Sequence, residues 1–102
     1  MRITARKRLV EYWEKRPDAR PGLERWHQVA AEADWKTLQD LKRSFAHADA
    51  VTVASGRTVV IFNIGGGKHR LITAIHYNAR RVFTLMVLSH AEYDGGRWKD
   101  EL

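Results

Sequence analysis

Val51–His90 reads VTVASGRTVVIFNIGGGKHRLITAIHYNARRVFTLMVLSH, and this stretch sets the architecture of the chain. β-Branched and aromatic residues recur in runs of strand length, broken at Ser55-Gly56, at Gly65-Gly66-Gly67 and at Asn78–Arg81. The pattern predicts strands over Val51–Ala54, Thr58–Ile64, Lys68–Tyr77 and Val82–Ser89. Short turns make consecutive strands antiparallel neighbours, so the four form a meander that opens on a tight hairpin. The same stretch holds Arg57, Lys68, Arg70, Arg80 and Arg81 with His69, His76 and His90, yet all 12 Asp and Glu lie outside it. A sheet face that is cationic and free of carboxylates attracts a polyanion, and nucleic acid is the leading candidate.

Working outward, the period upstream becomes helical. Leu9, Tyr12 and Trp13 make one stripe of a helix over Ala5–Arg16, with Thr4 as its predicted N-cap and Met1–Thr4 as a short strand before it. Pro17 ends that helix, and Asp18 is the predicted cap of the next, whose buried face is Leu23, Trp26 and Ala30. Asp34 is read as capping a third helix over Trp35–Phe45, with Trp35, Leu38, Leu41 and Phe45 inward. Downstream, Ala91–Leu102 reads as a polar tail anchored by Tyr93 and Trp98. Helices followed by a meander give an α+β fold, with N-terminal helices packed on one face of an antiparallel sheet, in a single domain spanning 1–102.

Strand alternation then assigns faces. Leu71, Thr73, Ile75 and Tyr77 suit the helix-packed side, which leaves Lys68, Arg70 and His76 on the open one. On the last strand, Phe83, Leu85 and Val87 are expected in the core, and Thr84, Met86, Leu88 and His90 on the open face.

Bulk properties narrow the classes of function. The chain has 102 residues, a net charge of +6 and no cysteine, and its pI is near 10.1. Association with anions is therefore expected to be salt-sensitive, while disulfides and thiolate chemistry are out. No run reaches the ~20 apolar residues of a membrane span, and Met1–Val10 lacks the apolar core of a signal peptide. A cytoplasmic protein without a membrane partner is the expectation.

Histidine near neutral pH is the simplest proton carrier, and His90 lies where a strand ends. On spacing alone it serves equally as a surface histidine. Lys68 and Arg70 suit a phosphate, or else keep a strand edge soluble; the missing acids favour the phosphate. Arg57, His76, Arg80 and Arg81 are expected to contact RNA more diffusely. Gly65-Gly66-Gly67 follows a strand but opens no helix, so it is a turn and not a nucleotide loop. No histidine pair has ligand spacing with an accompanying acid, so neither a metal nor a small-molecule cofactor is expected.

Three segments carry a resemblance: Ile61-Phe62-Asn63-Ile64-Gly65-Gly66, Lys68-His69-Arg70-Leu71-Ile72 and His90-Ala91-Glu92-Tyr93-Asp94. With Met1-Arg2-Ile3 and Trp35-Lys36, they are similar in order and spacing to the HigB-type toxins of bacterial toxin–antitoxin systems. The chain departs from that pattern at Gly67, His69 and Ser89. The resemblance implies a RelE-like fold and an mRNA endoribonuclease that acts on messages in the ribosome. Cleavage would proceed without metal, the ribose 2′-OH attacking the adjacent phosphate. It also implies a cognate helix-turn-helix antitoxin of the HigA type that neutralises the toxin. By position, Lys68, Arg70, His90 and Tyr93 would be the catalytic residues. The competing reading is a basic RNA- or ribosome-binding domain without catalysis; an operator-binding regulator is disfavoured because no basic recognition helix is evident.

Overall fold

In a computed structural model that describes residues 1–102, five strands form one sheet in the order β1-β5-β4-β3-β2. They are β1 (Arg2–Thr4), β2 (Asp49–Thr52), β3 (Thr58–Ile64), β4 (His69–His76) and β5 (Arg81–Ser89). The meander is antiparallel from β2 to β5, but β1 joins the edge of β5 in parallel, so the sheet is mixed. Helices α1 (Arg6–Lys15), α2 (Arg20–Glu32) and α3 (Leu38–Ser44) precede the meander, and α4 (His90–Gly95) and α5 (Trp98–Glu101) follow it. The α+β class expected from the sequence is the one observed.

The larger core lies between the helices and one sheet face. Leu9, Trp13, Leu23, Trp26, Trp35 and Leu41 meet Val60, Phe62, Ile64, Leu71 and Val82 there. Phe62 is its centre, with Trp26, Trp35 and Phe45 around it at ring distances of 5.4, 6.3 and 5.1 Å. Helix α2 packs tightly on the end of β3 at Gly22, where an added Cβ would lie 2.8 Å from Ile64 Cγ2 and 3.1 Å from the Gly65 nitrogen. Two effects oppose each other in Gly22→Ala. Helix propensity favours alanine by ~1 kcal/mol, whereas overpacking against a buried side chain and a backbone atom costs ~1–3 kcal/mol. The clash should win: urea unfolding is expected to show Gly22→Ala less stable than the parent, and a raised midpoint would mean that α2 moves away freely.

Three predicted caps are employed elsewhere. Thr4 pairs with Phe83 in the sheet, so it cannot cap α1. The chain turns into α1 through Ala5 in the left-handed region (φ 69°), and Thr84 Oγ1 donates to the Thr4 and Ala5 carbonyls at 3.0 and 2.6 Å. Asp18 lies in a 3₁₀ turn (Pro17–Ala19) and binds His69 instead of capping α2. Helix α3 begins at Leu38, later than expected, and its cap is Thr37, whose hydroxyl accepts from the Asp40 N–H; Asp34 pairs with Arg80.

The assignment of β5 faces needs a correction. A bulge at Leu85 breaks the β4–β5 register, which runs Ile72↔Met86 and then Thr73↔Thr84. One extra residue inverts the alternation before it. Val87, Met86 and Leu88 therefore face as expected, but Val82 and Thr84 turn to the helices while Phe83 joins the opposite face, its ring 5.0 Å from that of His76.

That opposite face is also less open than the alternation suggests. The tail is helical, and Trp98 of α5 covers Val53, Val59, Ile61 and Ile72 to form a second, smaller core. No helix is long and apolar enough to cross a membrane.

Candidate active site

Where β5 runs into α4, Ser89 caps the new helix. Its hydroxyl accepts from the Glu92 N–H at 3.2 Å, and the Glu92 carboxylate accepts from the Ser89 N–H at 3.0 Å. This reciprocal box fixes the first turn of α4. The His90 N–H donates to the Lys68 carbonyl at 2.9 Å, which pins that turn to the start of β4. Leu88 lies opposite Arg70 in the register, so the arginine rises from the sheet directly beside α4.

Arg70, His90 and Tyr93 converge there. The Arg70 guanidinium donates to the Gly67 carbonyl and, at 3.4 Å, to the His69 carbonyl. It also lies 5.2 Å from the centroid of the Tyr93 ring. Its Nη2 is 3.4 Å from His90 Nδ1, and His90 Nε2 is 2.9 Å from Asp94 Oδ2. Arginine only donates, and a carboxylate only accepts. The network thus assigns the Nε2–H tautomer to His90, with the Nδ1 lone pair directed at Arg70. Tyr93 is held from behind: its ring stacks on Trp98 at 5.3 Å and 17°, and the indole N–H donates to the Tyr93 carbonyl at 3.0 Å.

Gly67 explains one departure from the HigB pattern. It has φ 91°, and a Cβ there would lie 3.4 Å from Arg70 Nη1. The left-handed backbone is what favours glycine, since the Arg70 contact is an ordinary one with the end of a flexible side chain.

Lys68 stands apart from this trio. Its backbone carbonyl anchors α4, its side chain is exposed, and its charge is felt at Asp18, toward the helix side of the sheet. Asp18 belongs to a second chain of hydrogen bonds, centred on a buried histidine. His69 is only 4% exposed and sits between the two partners, with Nε2 at 2.8 Å from Asp18 and Nδ1 at 2.7 Å from the Tyr12 hydroxyl. Asp18 accepts, so His69 carries its proton on Nε2 and Tyr12 donates to Nδ1. The hydrogen bond from His69 holds the Asp18 carboxyl below its ordinary range. Burial pushes the Tyr12 phenol up. The Ser89 N–H holds the Glu92 carboxyl down in the same way as His69 holds Asp18.

These depressed carboxyls have a signed consequence. A group whose folded pKa lies below its unfolded one stabilises the fold above the unfolded value and loses that contribution as pH falls through the folded one. Melting temperature should therefore drop below the ordinary carboxyl range, and Asp18→Asn and Glu92→Gln should flatten that acid limb. Curves parallel to the parent's would exclude both groups from the acid response.

The remaining sequence candidates lie elsewhere. Arg57, His76 and Arg81 are exposed at the other end of the strands. Arg80 is engaged with Asp34 at 3.3 Å. Sequence reasoning missed Asp94, although His90 and Asp94 are four apart and so meet on any helix. It also missed Arg16, 5.9 Å from the Tyr12 ring centroid and close enough to help lower Glu92. No three histidine, aspartate or glutamate side chains come together as a ligand set.

Helices on one face of a mixed sheet, with a returning helix that seats a histidine and a tyrosine beside a strand arginine, make this a RelE-like toxin in build. Residues 19–96 match the HigB toxins, the RelE-like toxic component of a toxin–antitoxin system, and the chain belongs to that family. It is 27% identical over 94 residues to the mRNA interferase HigB of Escherichia coli O6:H1, covering 92% of this chain and 89% of the relative.

Proposed function

We propose that this chain is an endoribonuclease that cuts mRNA, as the name of its Escherichia coli relative describes, and that Arg70, His90 and Tyr93 carry the reaction. The observation that bears most weight is His90, held between Asp94 on one ring nitrogen and Arg70 on the other. An incoming phosphate competes for the Arg70 fork, because a guanidinium binds phosphate in bidentate fashion. Drawing Arg70 onto the phosphate frees the Nδ1 lone pair of His90. That nitrogen then takes the proton of the ribose 2′-OH, while Asp94 stabilises the imidazolium that results.

The 2′-oxygen bonds to phosphorus, the bond from phosphorus to the 5′-oxygen breaks, and the leaving oxygen takes a proton from solvent. The products are a 2′,3′-cyclic phosphate and a 5′-hydroxyl. Arg70 stabilises the charge that builds on the phosphorane-like transition state, and exposed Lys68 adds to the local positive field. Tyr93, fixed by Trp98, orients the strand. None of these steps uses a metal ion.

The ribosome would supply the distorted message, and a cognate helix-turn-helix antitoxin of the HigA type would neutralise the toxin in the cytoplasm. The test is controlled expression with mapping of RNA ends in translating extracts. New cuts bearing cyclic phosphates, absent when translation is blocked before the message is loaded, support the reading. Binding to ribosomes without new ends would replace it with the non-catalytic one.

A further inference from the structure

A second cationic site lies at the far end of the sheet. Arg2 pairs with Arg81 across β1 and β5, and Arg81 pairs with His76 across β5 and β4. Arg57 directly precedes β3, beyond the last β3–β4 pair at Val60↔Thr73, and lies at the same end of the sheet. Arg2, Arg81 and His76 therefore form one row across three strands, with Arg57 beyond its end. Paired residues project from the same face, and three neighbours identify it. His76 packs on Phe83, Arg57 extends the alternation of Val59 and Ile61, and Val53, bonded to Arg57 through the backbone, belongs to the smaller core. This is the face opposite the main helical layer.

All four side chains are exposed, and none lies within 4.0 Å of a carboxylate. With neighbouring strands ~4.8 Å apart, the paired row spans about 10 Å, and Arg57 lengthens the cationic surface. Like charges placed directly opposite each other, as Arg2 and Arg81 are, destabilise a sheet. No carboxylate pairs with these residues to offset that repulsion, so the row is suited to an anionic strand laid along it. Phe83, half-buried beside the exposed His76 ring, gives the row an aromatic surface as well as charge. Phosphates and unpaired bases together satisfy both features.

We infer that Arg2, Arg57, His76 and Arg81, with Phe83, form a second binding site for single-stranded RNA, separate from the cleavage centre. It deepens the ribonuclease reading and rests on it for the choice of RNA. His76 lies six positions after Arg70 along β4, about 20 Å away at ~3.3 Å per residue. A strand gripped at both ends falls within the roughly 4–16 nucleotides that single-strand grooves occupy. A message is thus held by its flank while the bond near His90 is cut.

The experiment uses 2′-O-methyl RNA, which binds but has no attacking hydroxyl, in fluorescence anisotropy with the full chain. A single-stranded dodecamer should bind more tightly than a tetramer. Arg57→Gln/Arg81→Gln should remove most of that advantage, at least 10-fold at low salt. The slope of log affinity against log salt should shrink by about 0.7 for each phosphate that is no longer neutralised. His76→Ala should cost the dodecamer about 5- to 100-fold if a base stacks there. Tetramer binding should fall much less than dodecamer binding in these variants, and should fall in Arg70→Ala.

Dodecamer affinity unaffected by the double variant overturns the second site, as does an equal loss for both lengths. So does an acidic peptide or an RNA duplex that binds the row better than the single strand. Failure of Arg70→Ala to weaken the tetramer counts against the cleavage centre alone. Relief of repulsion predicts that Arg81→Gln melts no lower than the parent, which separates lost binding from lost folding.

Discussion

His90→Ala is expected to slow message cleavage in translating extracts by about 10²–10⁴-fold, the usual contribution of a positioned proton carrier. The side chain is exposed, and its removal leaves the backbone bond from the His90 N–H to the Lys68 carbonyl in place. The fold should therefore survive, and circular dichroism and a melt would check it. Asp94→Asn should have a smaller effect in the same direction, because it leaves the imidazole but removes the charge that supports its protonated form. A rate for His90→Ala within a few-fold of the parent would take the proton carrier out of this site altogether.

The second large effect is expected at Arg70. Removing a donor aimed at developing negative charge costs about 10²–10³-fold in rate, and Arg70→Ala should fall in that range. Arg70→Lys is the sharper test. Lysine keeps the charge but loses the planar fork, which here reaches the Gly67 and His69 carbonyls and His90 while lying over Tyr93. Only partial recovery is expected, read as the rate at which new RNA ends appear with bound ribosomes in excess. Full recovery would show that a point charge near the phosphate suffices.

Much of this architecture is legible in the residues, for physical reasons that can be named. Alternation along β4 is uninterrupted, so it separates Leu71, Thr73 and Ile75 from Arg70 and His76 as the structure does. The apolar stripes of α1 and α2 are likewise long enough to read, and Leu9, Trp13, Leu23, Trp26 and Ala30 are buried. The meeting of Arg70, His90 and Tyr93 follows from the face of β4, the end of β5 and the family resemblance taken together.

What escapes such a reading depends on long-range structure or on a signal passed over. The Leu85 bulge inserts a residue between two valid patterns, and no composition marks it. Asp18, Thr4 and Asp34 are all good capping residues whose partners, His69, Phe83 and Arg80, are more than 40 residues away in sequence. By contrast, Ser89–Glu92 holds an overlooked helix start: a serine followed three residues later by a glutamate is a capping box. A helix begun there brings the His90–Asp94 pair with it.

The double hydrogen bond from Thr84 Oγ1 to the Thr4 and Ala5 carbonyls bears on how this molecule is made. It closes a loop of about 80 residues, and β1 has no other strand partner. Such distant pairings form late, because chain entropy must be spent before any stabilising interaction is gained. During synthesis the first strand and helix wait, without a sheet to dock on, until β5 has left the exit tunnel. The docking of β1 and α1 onto β5 is thus a closing step in building the scaffold.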